Sequence, residues 1–301
     1  MRAGVWYGIA AYLWWGVSPI YWKQLDRLPP ATLVGYRVFW SLVILGALLA
    51  LQPQGRFTRG QLSARVIATY AAAATLLYAN WFTFVWAVTA GYIVESSLGY
   101  FLSPLMTVGL GVLVLGERLR PGQWVAVSLA ATGVVYLSVS LGTLPWIALL
   151  LASTFGLYGL LKKQAALGAM QGLTLEISLL SVPTAVFLLL GPVMTPPVAA
   201  PDASGPWLHQ TLLAASGVIT VGPLLLFGAS VRRIPLSHMG IIQYLAPTLQ
   251  FLLGVLVYGE QFGPTQVVGY ALVWVALALF GVEGLYAYRH AAGGGLGPRR
   301  R

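Results

Sequence analysis

Cysteine is absent from the 301 residues, which excludes disulfides, thiolate metal sites and cysteine nucleophiles. Charge is scarce as well. Only 8% of the chain is charged, against roughly a quarter in a soluble domain. So little charge cannot coat a water-facing surface around a chain that is 58% hydrophobic. Acid is rarest, with 7 Asp and Glu against 17 Lys and Arg. His209, His238 and His290 stand alone in the sequence, so there is no His-Glu-x-x-His run to place a catalytic metal. Gly-x-Ser-x-Gly and the phosphate-binding Gly-x-x-x-x-Gly-Lys-Ser/Thr are also missing, leaving no serine-protease dyad or P-loop ATPase to defend. No cofactor is implied. The first apolar run ends in Pro19, Ile20, Tyr21 and Trp22 instead of small residues, unlike a cleavable signal.

Apolar length is what the chain has in abundance, with a mean hydropathy of +0.80. Crossing about 30 Å of hydrocarbon takes roughly 20 mostly apolar helical residues. Ten runs meet that need: 5–22, 32–51, 66–90, 93–115 and 123–140, then 144–161, 173–190, 208–231, 238–258 and 265–288. Only Gly91 and Tyr92 separate the third from the fourth, which predicts a tight hairpin. The longest connection, 191–207, is rich in Pro and Ala and carries no defensible chemistry.

Two of these runs repeat one another. PLMTVGLGVLVLGERLRPGQ at 104–123 and PTLQFLLGVLVYGEQFGPTQ at 247–266 agree, without a gap, at ten of twenty positions. Earlier, Gly16, Lys23 and Gln24 are echoed 140 residues later by Gly156, Lys163 and Gln164. Internal duplication of membrane helices points to a secondary transporter. Five spans per copy is an odd number, so the second copy must enter the membrane upside down. The expected fold is therefore an all-α membrane protein of ten transmembrane helices, arranged as two inverted five-helix repeats over 1–142 and 143–288. Residues 289–301 form a basic tail.

Sidedness follows from the same count. With ten spans, fourteen of the seventeen basic residues fall on the side of the termini and even-numbered loops; only Lys23 and Arg27 fall opposite, and Arg37 lies within the second span. The positive-inside rule puts both termini in the cytoplasm. The net charge of +10 is thereby explained as topology, and no nucleic-acid partner is expected.

The pieces AYLWWGVSPIYWK (11–23), YRVFWS (36–41), NWFTFVWAV (80–88), ESSLGYFLSPL (95–105), LGERL (115–119) and GIIQYLAPTLQFLLGVLVYGE (240–260) together resemble the drug/metabolite transporter superfamily with its EamA-type repeats, and within it the RarD proteins. That resemblance spans all ten runs. It implies a bacterial inner-membrane carrier or exporter of a small metabolite or drug-like solute. A non-transporting membrane receptor or scaffold is the competing expectation, and a homo-oligomer is admitted.

Candidate residues are those that are expensive in hydrocarbon. Arg37 either meets an anionic group of the solute, snorkels to the interface, or pairs with an acid such as Glu95. Glu95 is either an ordinary helix-start carboxylate, a proton or cation site, or an extracellular gate. Glu176 reads as an interfacial group. Mid-span polar and aromatic side chains are the other pocket candidates: Trp14, then Asn80 and Trp81 on one helical face with Leu77 and Phe84. Tyr100 and Phe101 align with Gln243 and Tyr244 at a spacing of 143. Trp22 is explained by the interfacial aromatic belt. Pro104 and Pro247 each remove a backbone hydrogen bond and are candidate kinks or hinges. Glu95 and His238 align at 143 and are candidates for coupling or gating. Gly116–Glu117 and Gly259–Glu260 read as structural: a left-handed helix stop, then an acid ahead of the next helix.

Overall fold

A computed structural model describes residues 2–25, 28–52, 57, 60–90, 92–140, 145–194, 206–259 and 263–293. Its helices are α1 (Arg2–Val17), α2 (Pro19–Trp22), α3 (Pro30–Leu51), α4 (Ala64–Thr89), α5 (Ile93–Leu113) and α6 (Pro121–Ser140). They continue as α7 (Trp146–Gln164), α8 (Ala169–Met194), α9 (Pro206–Val231), α10 (Leu236–Gln243), α11 (Leu245–Leu256) and α12 (Pro264–Gly293). Among the described residues there is no strand. Six helical stretches are long and apolar enough to cross a membrane: Ala31–Leu51, Pro121–Val139, Ala169–Val186, Gln210–Val231, Leu236–Leu256 and Val267–Gly284.

Helix starts and stops have local causes. Pro19, Pro30, Pro121, Pro206 and Pro264 each open a helix, where the missing N–H has no partner to lose and φ is already set. Gly116 and Gly259 adopt φ of +66° and +64° just beyond α5 and α11, the left-handed stop expected of them. The first apolar run is split at Ser18, between α1 and α2. Pro19 cannot donate to the Trp15 carbonyl, which instead accepts from the Ser18 hydroxyl at 2.8 Å and the Gln250 amide at 3.3 Å. The ninth run is split at Tyr244, three residues before Pro247, whereas α5 continues through Pro104.

The principal neighbours are α5 with α7, α6 with α12, α3 with α9, α5 with α10, α1 with α9, α4 with α7, α3 with α8, α1 with α11 and α4 with α8. One core gathers Tyr12, Leu77, Tyr158, Phe227 and Leu236; a second holds Phe101, Val134, Tyr244 and Val273. Glycine permits two close crossings. A Cβ on Gly16 would lie 2.6 Å from Leu249, and one on Gly156 would lie 2.9 Å from Met106. Outside this core the surface stays apolar, with Leu113 86% and Leu256 76% exposed. Such a surface belongs in lipid. This is a multi-pass membrane protein.

Candidate functional site

α3 carries Arg37 seven residues beyond Pro30, away from the end of α3 that leads towards Gln61. Its guanidinium carbon stands 4.7 Å from the Trp22 ring centroid and 4.4 Å from that of Trp81. Two indole faces therefore stabilise the cation from α2 and α4. Its Nε donates to Thr220 Oγ1 of α9 at 3.1 Å. Among the described residues no carboxylate lies within ion-pair distance of it. Tyr21 and Tyr100 stand close enough to act on its charge. Tyr21 donates to the Leu212 carbonyl, and Tyr100 packs edge-on to Phe84 at 5.5 Å while remaining 37% exposed.

Towards the middle of the bundle an aromatic cluster joins α1, α7 and α9. Trp15 lies 5.0 Å from Tyr12, 5.9 Å from Phe155 and 5.9 Å from Phe227, and Phe227 stacks on Tyr158 at 5.8 Å. Tyr12 is buried, and its hydroxyl has no hydrogen-bond partner among the described residues. Beyond Tyr158 comes a buried ion pair. Glu176 of α8 accepts from Lys162 at 2.7 Å and from the Tyr158 hydroxyl at 3.0 Å. Both charged side chains are sealed, with exposures of 3% and 0%. Glu176 is thus sealed within the protein: its partner sits fourteen residues earlier in sequence, one helix away, and the pairing lets both go inside.

The same end of the bundle is laced by polar contacts. Glu117 accepts the backbone N–H of Leu236 at 2.6 Å and of Ser237 at 2.8 Å, capping α10 and not the helix that follows it in sequence. Lys163 reaches the Ile234 carbonyl at 2.6 Å and lies 3.9 Å from Glu117. Burial pulls the Lys163 pKa below the ordinary lysine value, and Glu117 opposes that shift. Arg232 donates to the Ala165 and Leu167 carbonyls, Ser230 to that of Gly4, and Arg120 pairs with Glu283 at 3.5 Å.

The expected site residues divide by location. Arg37, Trp81 and Tyr100 come together. Asn80 faces α7 instead, donating to the Leu151 carbonyl at 2.9 Å and Thr154 Oγ1 at 3.0 Å. Trp14 lies against Gly222 of α9. Gln243 exchanges hydrogen bonds with Thr107 of α5 at 3.1–3.3 Å, and the Tyr244 hydroxyl donates to the Phe101 carbonyl at 3.3 Å. His238 is half-buried on α10, edge-on to Phe280 at 5.7 Å, and its Nδ1 has no hydrogen-bond partner among the described residues. Pro104 is buried in α5 and Pro247 in α11. The Glu95 side chain and Glu260 lie outside the described residues. Sequence reasoning missed Trp22, Tyr21 and Thr220. A tryptophan at a span end is normally an interfacial anchor, and nothing local reveals that the chain turns Trp22 back over Arg37. Among the described residues no cluster of three or more His, Asp or Glu is placed to hold a metal.

Residues 2–139 match the EamA-like transporter family. A protein of Streptomyces exfoliatus named RarD is 39% identical, the match covering 96% of this chain and 91% of that one. An uncharacterised transporter of Vibrio cholerae is 41% identical over 97% of this chain and 95% of its own. One solved crystal structure, only 18% identical, superimposes with a TM-score of 0.69 over 92% of this chain and 96% of its own, a likeness of fold alone.

Proposed function

This chain belongs to the EamA-like transporter family, among its RarD-type members, and from that premise we propose that it is a ten-span secondary carrier. It moves one small solute across the bacterial inner membrane, outward, with both termini in the cytoplasm. Two inverted five-helix halves rock around a central site. Arg37, Trp81 and Tyr100 bind the solute. Asn80, Trp14, Gln243 and Tyr244 hold the surrounding helices and enter the cavity as they move. Pro104 and Pro247 hinge their helices, and Glu95 and His238 couple the two gates.

The observation that carries this proposal is the exchange of packing partners under the duplication. If α1–α2 corresponds to α7, α3 to α8, α4 to α9, α5 to α10–α11 and α6 to α12, the principal contacts map onto one another. α5 on α7 becomes α10–α11 on α1; α3 on α9 becomes α8 on α4; α1 on α9 becomes α7 on α4. The pairs α3–α8, α5–α10 and α6–α12 map onto themselves. The detail agrees, since Gly16 on Leu249 is matched by Gly156 on Met106, offset by 140 and 143 residues. Tyr244 reaches the carbonyl of Phe101, its own counterpart. Two halves related in this way have two equivalent ways to close, one for each side of the membrane.

The test is solute entry into proteoliposomes holding the purified protein, with Trp81→Ala as the site variant. Saturable uptake that Trp81→Ala weakens supports the proposal. Solutes that bind in detergent but never cross the liposome membrane would identify a receptor instead.

A further inference from the structure

We propose that the solute is an organic anion, its carboxylate held by the terminal nitrogens of Arg37 and its apolar body lying against Trp22 and Trp81. The proposal rests on the transporter assignment above and names the class of substrate for that same site.

The first support is a charge balance. A guanidinium keeps its proton under all physiological conditions, and a charge at membrane depth needs a partner. Glu176, the buried carboxylate of α8, is already matched by Lys162 and by the Tyr158 hydroxyl. Arg37 has no such match among the described residues. Position underlines the contrast, because 140 residues beyond Tyr36 stands Glu176. Among the described residues, one half pairs its buried acid with a base, and the other leaves its base without an acid. The missing charge is a single negative one.

The second support is the geometry of the donors. Thr220 occupies Nε at 3.1 Å. The indoles of Trp22 and Trp81 supply π-faces, which stabilise a cation but leave its N–H groups without conventional acceptors. Both terminal nitrogens thus stand without a hydrogen-bond acceptor among the described residues, and their fork matches the two oxygens of a carboxylate. A neutral solute would leave the charge unmatched, and a cationic one would be repelled. The indoles also give an apolar body somewhere to lie.

The experiment uses the full-length protein in detergent with matched probes: benzoate, phenylacetate and hexanoate, the corresponding amides, and benzylamine. Binding is read by calorimetry and by the rise in unfolding temperature. At least one acid should bind, with its amide weaker by about tenfold or more, the range expected for losing a charged hydrogen bond. Arg37→Gln should weaken the acid by a similar factor, and Arg37→Lys by less. Trp22→Ala should weaken the aromatic acids more than hexanoate. Amides or benzylamine binding as well as the acids would overturn the assignment, as would undiminished acid binding to Arg37→Gln or failure of all three acids to bind. Should Arg37→Gln not fold, the acid–amide comparison on the parent decides alone. Liposomes separate this proposal from the one beneath it. Uptake restricted to neutral solutes removes the anion and leaves the carrier, whereas acid binding without uptake removes the carrier and leaves the anion site.

Discussion

Arg37 was legible because a lone charge deep in an apolar run has few harmless explanations. Glu176 has the same kind of sequence context, yet its meaning was hidden, since periodicity along one helix says nothing about Lys162 on the helix before it. Breaking a buried pair by removing one partner commonly costs about 3–5 kcal/mol, because the survivor is left charged or must neutralise itself. Replacing both with apolar groups of similar volume can be nearly neutral. Lys162→Met should therefore lower the unfolding temperature in detergent markedly, and Lys162→Met combined with Glu176→Leu should recover most of the loss. A double variant as unstable as the sum of its singles would mean that the pair contributes through Tyr158 and Tyr70 around it, not through mutual neutralisation.

At the scale of the helices, six stretches are long and apolar enough to cross a membrane, and the glycine stops at Gly116 and Gly259 stand where expected. What the sequence did not disclose is where helix ends find their partners. Glu117 follows a glycine stop and precedes Pro121, so the helix starting there is its obvious beneficiary. The fold instead carries its carboxylate to the start of α10, 119 residues away in sequence, where it accepts two N–H groups that have no other acceptor among the described residues. Replacing a side-chain cap with alanine typically costs about 1 kcal/mol, and here Lys163 loses its acidic neighbour as well. Glu117→Ala should leave the protein folded but speed hydrogen exchange at the Leu236 and Ser237 amides, with little change in α6. Faster exchange confined to α6 would return Glu117 to its sequence neighbour.

For the molecule as a whole, the duplication says most, because an odd number of spans per copy, as proposed, requires the second copy to be inverted. The structure adds a physical reason for sidedness. Gly4, Glu117, Lys163, Leu167, Ser230, Arg232 and Ile234 come from α1, from the ends of α7 and α9 and from three separate connections, yet direct hydrogen bonds or an ion pair gather them at one end. Gln61 joins the same end through Gln171 at 3.4 Å. Lys162, Lys163 and Arg232 lie at this end, a local concentration of positive charge. Basic segments resist translocation, so the proposed orientation turns that end towards the cytoplasm. The chain has no cysteine of its own, so single reporters are clean. Ser63 is exposed at the start of α4, on the basic face. Ser204, outside the described residues, belongs to the 191–207 connection, which ten spans place on the opposite side. An impermeant thiol reagent applied to intact cells should label Ser204→Cys and spare Ser63→Cys until the membrane is permeabilised. Labelling of Ser63→Cys alone would invert the molecule, and labelling of both from outside would mean that the number of spans between them is even, breaking the five-helix repeat on which the inverted halves depend.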